Sequence, residues 1–128
     1  MLLFICFAVF PVVAQQPESP NPPAWIHGTW TYTEPAFDGG GGEQLQMSFV
    51  PNDILFDDGT SLNHLISIGE VEIFTQKLNA TSYEIYIKYA DSYWFREIFQ
   101  RPAAGAKTMR STYETSEGES NECIYTRK

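Results

Sequence analysis

The sequence predicts an all-β chain, an antiparallel up-and-down β-barrel of about eight strands. Three observations carry that expectation. No long segment spaces its apolar residues as a helix would, runs of alternating apolar and polar residues recur, and turn-forming residues separate them. Short strands joined by short turns, with no crossover helix, make a meander. Closing the meander into a barrel removes its edges, while a two-sheet sandwich is the competing arrangement.

The 128 residues suffice for one domain. Residues 1–14, MLLFICFAVFPVVA, carry no charge. They fall short of the roughly 20 apolar residues that a membrane-spanning helix needs. They read as a signal peptide, with Val12 and Ala14 as the small residues before a cut near Gln15. A cysteine at position 6 raises the idea of a lipid anchor, but the preceding LFI lacks the small residues that such processing needs. The expectation is a secreted or periplasmic protein with no membrane insertion after cleavage. Residues 15–24, QQPESPNPPA, read as an extended proline-rich linker, and residues 25–128 as the barrel domain.

Within the domain the expected strands are 28–34, 43–50, 53–57, 70–78, 82–89, 93–101, 107–113 and 122–127, with 60–68 either a short helix or a further strand. The breaks suit turns: DGGGG at 38–42, PND at 51–53, DDG at 57–59 and SEGES at 116–120. Alternation assigns the faces. One face collects Gly28, Trp30 and Tyr32, then Leu45, Met47 and Phe49, then Val71 and Ile73. It continues with Tyr83, Ile85, Ile87 and Tyr89, then Met109, Ser111 and Tyr113, and finally Cys123, Tyr125 and Arg127. In YWFREIFQR either Trp94, Arg96 and Ile98 or Phe95, Glu97 and Phe99 point inward, and the second set is preferred. An inward Glu97 needs a tyrosine hydroxyl, Arg110 or a ligand group as partner; otherwise it lies at the rim in water.

Composition excludes several functions. Sixteen acidic residues against eight basic ones give a net charge of −8, which disfavours nucleic acid and anionic membranes as partners. Once the leader is removed Cys123 stands alone, so it is either a core thiol or the link of a covalent dimer. The acidic run ETSEGESNE reads as a solvated hairpin tip. His27, His64, Asp57 and Asp58 match no metal-ligand spacing, and FVPNDILFDDGTS lacks the positions of a calcium loop. No nucleophile with its base can be assembled, and the glycine run is not followed by a lysine and a helix. No enzyme, metal or cofactor is expected. NAT at 79–81 accepts a glycan only in a eukaryotic secretory pathway.

Gly-Thr-Trp at 28–30 on the first strand, the FVPND turn at 49–53 and a last strand ending YTRK resemble the lipocalin-like branch of the calycin barrels over residues 25–128. The resemblance implies that Trp30 plugs the closed end of the barrel with Arg127 packed across it, Gly28 allowing the close approach. The chain departs from that family in being shorter, in having no helix after the barrel and in lacking a disulfide, which fits a reduced bacterial version. The function it implies is binding of a small apolar ligand by Tyr32, Met47, Phe49, Ile73, Ile85, Ile87, Phe95, Met109 and Tyr125. Alternation alone leaves open whether these side chains fill the barrel or line a cleft. The alternative is a protein-binding module, an adhesin or protease inhibitor, acting through loops at 35–43, 57–69 and 114–121.

Overall fold

The computed structural model describes residues 17–33 and 44–128. The leader with Cys6, the first residues of the linker, and the glycine-rich loop at 38–42 lie outside the described residues. A short 3-10 helix, Ala24–Ile26, leads into eight strands: β1 Gly28–Thr33, β2 Gln44–Val50, β3 Asp53–Leu55, β4 Val71–Leu78, β5 Ser82–Tyr89, β6 Trp94–Gln100, β7 Thr108–Thr115 and β8 Ser120–Arg127. One helix, α1 Leu62–Ser67, lies between β3 and β4.

All strand pairs are antiparallel and form one curled sheet, a half-barrel in the order β3-β2-β1-β8-β7-β6-β5-β4. The first and last strands meet through Trp30 opposite Arg127 and Thr31 opposite Thr126, then pairing stops. The ends of the sheet, β3 and β4, are not hydrogen-bonded to each other. α1 packs against both of them and buries Leu62. The 60–68 segment is therefore a helix, and its start is built by local side chains. Ser61 caps the His64 N–H, while Asp53 accepts from the Ser61 hydroxyl and from the backbone of Ile54 and Asn63. The same residues take up much of the 57–69 stretch expected as a loop.

The proline-rich segment is extended, as its composition implies, but it is docked and not free. Glu18 N–H donates to the Phe74 carbonyl at 2.9 Å, along the edge of β4 that β5 leaves open. Gln76 clamps the segment: its Oε1 accepts from Asn21 N–H at 2.9 Å and from the Tyr83 hydroxyl at 2.7 Å, and its Nε2 donates to Ser19 O at 2.8 Å. Pro20 and Pro22 are buried, so the packed unit begins before Trp25. Covering an open strand edge in this way blocks further strand addition there.

Alternation fails at one place, in β4. A bulge between Val71 and Ile73 shifts the parity, so Ile73 pairs with Lys88 on the outer face and Phe74 pairs with Ile87 on the inner one. Ile73, expected inside, therefore does not belong to the interior, and Phe74, which is fully buried, takes its place. β6 presents Phe95, Glu97 and Phe99 inward, while Arg96 lies outside over the Tyr86 ring and pairs with Glu114 at 2.9 Å. Arg110 is also outside, facing Glu122 at 3.5 Å, so it is not the partner of Glu97.

Candidate functional site: the open end of the barrel

The interior divides into a filled half and a hollow half. In the filled half, Phe49, Tyr83 and Phe99 pack with ring centroids 5.2–6.5 Å apart, and Ile85, Ile87 and Met109 surround them with at most 1 % exposure. These residues form a packed core. Beneath them Trp30 closes the barrel. Its indole N–H donates to the Ile26 carbonyl at 2.8 Å, and the Arg127 guanidinium lies 4.2 Å from its ring centroid. Arg127 also donates to the carbonyls of His27 at 2.8 Å and Trp25 at 3.3 Å. Gly28 has φ +121°, and a Cβ there would sit 3.0 Å from the Arg127 guanidinium, so glycine fits both the backbone and the packing. Arg127 thus packs across the Trp30 ring beside Gly28 at this end of the sheet. His27, the one histidine at this end, contacts the Pro22 carbonyl through Nε2 at 2.8 Å.

At the opposite end a cavity of about 270 Å³ opens between β1, β2, β5, β6, β7 and β8. Of the nine expected ligand residues, four line it: Tyr32, Met47, Phe95 and Tyr125. Phe49, Ile85, Ile87 and Met109 lie below it in the core, and Ile73 is outside. Alternation had also put Tyr89, Tyr113 and Cys123 on the inner face, and they join the lining. Tyr93 and Thr115 continue the inner-face alternation of Phe95 and Glu97 and of Ser111 and Tyr113, whereas Phe56 and Glu119 come from turns, where period-2 reasoning no longer applies.

Glu97 forms the polar floor. It is 5 % exposed, and its Oε2 accepts two hydrogen bonds of 2.6 Å, one from the Ser111 hydroxyl and one from the Tyr125 hydroxyl. Register explains the convergence: Glu97 sits opposite Tyr113 on β7, Ser111 is one inward position away, and Met109 on the same face pairs with Tyr125 on β8. Oε1 has no hydrogen-bond partner among the described residues, yet it is not a sealed, unsatisfied atom. Burial pushes the Glu97 carboxyl above its ordinary range, and the two hydroxyl donors oppose that only in part. Tyr125 is pushed up as well, first by burial and then by the adjacent Glu97.

The rim is aromatic. Tyr32 packs on Tyr125 with centroids 4.8 Å apart, and Tyr89 contacts Tyr93 at 6.0 Å and Phe95 at 6.5 Å. No Lys, Arg or His is among the lining residues. The combination of a buried carboxyl, hydroxyl-bearing rings and a half-open apolar wall can hold a small molecule with one polar end. In comparisons with family models, curated proteins and solved structures, nothing matches the chain.

Proposed function

We propose that this protein is an exported, lipocalin-like carrier that binds a small, mostly apolar molecule in the open end of the half-barrel. The observation that carries this reading is the Glu97–Ser111–Tyr125 cluster at the floor of an otherwise aromatic cavity. A core that served stability alone would do better with an apolar residue at position 97, since burying a carboxyl without a counter-charge costs free energy. Ligand sites pair an apolar wall with a few convergent polar groups. The volume of about 270 Å³ lies just under the about 300–1,000 Å³ of drug-sized sites, which favours small guests over long-chain lipids. The Arg127 guanidinium over the Trp30 ring, with Gly28 beside it, supports the lipocalin-like part of the reading. The apolar leader supports export, and the recessed polar floor favours a small molecule over a protein partner as the ligand.

The test is two-dimensional NMR titration with a library of small aromatic and aliphatic compounds. Saturable shifts that concentrate on Tyr32, Phe95 and Tyr125, and that Phe95→Ala reduces while Ile85→Val leaves them in place, support the carrier. Absence of any binder at millimolar concentration overturns it.

A further inference from the structure

We propose that the ligand of the open-end cavity is a small organic cation, an ammonium group on a compact apolar body, with its nitrogen facing Glu97 Oε1. This assignment rests on the carrier reading and names the chemical class of its ligand.

Four features of the site point the same way. First, the formal charges in the lining are all negative: Glu97 at the floor and Glu119 at the rim, with no Lys, Arg or His among the lining residues. A carboxylate or phosphate guest would meet like charge at both depths and no counter-charge. Second, the hydrogen bonds at Glu97 are lopsided. Ser111 and Tyr125 both donate to Oε2, an arrangement that favours the anion, while Oε1 has no partner among the described residues and is not sealed off. An N–H donor reaching Oε1 would complete the carboxylate's coordination and supply the counter-charge that its burial lacks.

Third, the wall suits a cation. Tyr32, Tyr89, Tyr113 and Phe95 present π-systems whose faces attract positive charge, and the tyrosine oxygens can accept hydrogen bonds. An anion gains nothing from ring faces. A neutral guest could use the apolar wall but would leave the charge pattern without purpose. Fourth, a net charge of −8 over the whole chain draws cations toward the protein and repels anions. Binding needs no covalent step: where Glu97 is protonated before binding, its proton passes to solvent as the ammonium takes its place.

The experiment compares three probes of matched size by calorimetry at pH 7.5: 2-phenylethylammonium, neutral 2-phenylethanol and anionic 3-phenylpropionate. The expected order has the ammonium at least about tenfold tighter than the alcohol, the scale of one cation–π contact plus one charge pair, with the propionate weakest. Glu97→Gln keeps the shape and the hydroxyl partners and should bring ammonium and alcohol to within about threefold of each other, while Glu119→Gln at the rim should have a smaller effect in the same direction. Intermolecular nuclear Overhauser contacts from the methylene next to nitrogen to the Tyr125 ring would place the charge at the floor in the unaltered protein, whether or not Glu97→Gln folds. Equal binding of the three probes, a preference for the propionate, or contacts confined to the rim overturns the cation assignment and leaves the carrier standing. No binding of any probe overturns both.

Discussion

The two ends of the half-barrel are built from the same strands and by the same alternation, yet they handle polar groups in opposite ways. At the closed end the polar groups find their partners within the chain: the buried Trp30 indole N–H donates to the Ile26 carbonyl, and the exposed Arg127 guanidinium donates to the carbonyls of His27 and Trp25. At the open end a cavity-lining, buried carboxyl has hydroxyl donors on one oxygen and no hydrogen-bond partner on the other among the described residues. The difference separates roles. A fully satisfied end holds the sheet together, and an end with one group kept in reserve is available for binding at some cost in stability.

The largest expected effect tests the closed end. Trp30 is fully buried, and Trp30→Ala leaves a large void while removing both the indole hydrogen bond and the surface on which Arg127 rests. It should cost about 3–5 kcal/mol, read as a lower midpoint of urea unfolding. Retention of wild-type stability would mean that the closed end is not what holds the sheet in its curl.

Gly28→Ala comes next. The left-handed φ of +121° and the 3.0 Å approach of Arg127 act together, and backbone strain of this type costs about 1–3 kcal/mol. Arg127→Ala keeps the backbone relaxed and loses the cation–π contact, for about 0.5–2 kcal/mol. If the two substitutions act on one contact, the double variant Gly28→Ala/Arg127→Ala should lose less than the sum of the single losses, because removing the guanidinium also removes the clash. Strict additivity in the urea midpoints would separate Gly28 from Arg127.

Much of this division was legible in the sequence, and the exceptions have local causes. Period-2 alternation assigned the inner face correctly for Trp30, Met47, Phe49, Ile85, Ile87, Met109 and Tyr125, because one-sided burial fixes register strongly. It failed at Ile73, where a single extra residue in β4 reverses every side chain after it, and no residue type in GEVEIFTQ announces a bulge. For the docked proline segment the sequence implies only an extended backbone. Its attachment depends on Gln76, which turns inward because of that same bulge. Alternation also could not separate core from cavity: Phe49 and Phe95 share the inner face, and only their height along the barrel makes one a filler and the other a wall. For Glu97 the sequence leaves two positions open, inward with a tyrosine hydroxyl among its partners or at the rim in water, and Ser111 as the second donor follows from the β6–β7 register, which one strand alone does not contain.

The smallest expected effect probes the open end without any ligand. The groups facing Glu97 are Ser111, Tyr125 and Tyr113 from β7 and β8, with Tyr32, Cys123 and Glu119 bordering the same space and no basic residue in the lining. Burial raises the Glu97 carboxyl in the folded state, whereas in the unfolded chain it titrates at about 4.3. The folded protein thus holds this proton more tightly. The stability contributed by the raised value is complete below the unfolded pKa and is lost as pH rises through the folded one. Glu97→Gln stays neutral at every pH and keeps an oxygen for the Ser111 and Tyr125 hydroxyls. It should match the wild-type urea midpoint near pH 4 and exceed it at pH 8, and the gap between the curves should grow across that interval. Tyr83, Tyr89, Tyr93 and Tyr125 are all raised from an ordinary value of 10.0, so their titration lies above the interval and does not enter the difference. Parallel curves for the two proteins would mean that Glu97 is already matched by a charge in the folded state, and the contrast between the two ends would then disappear.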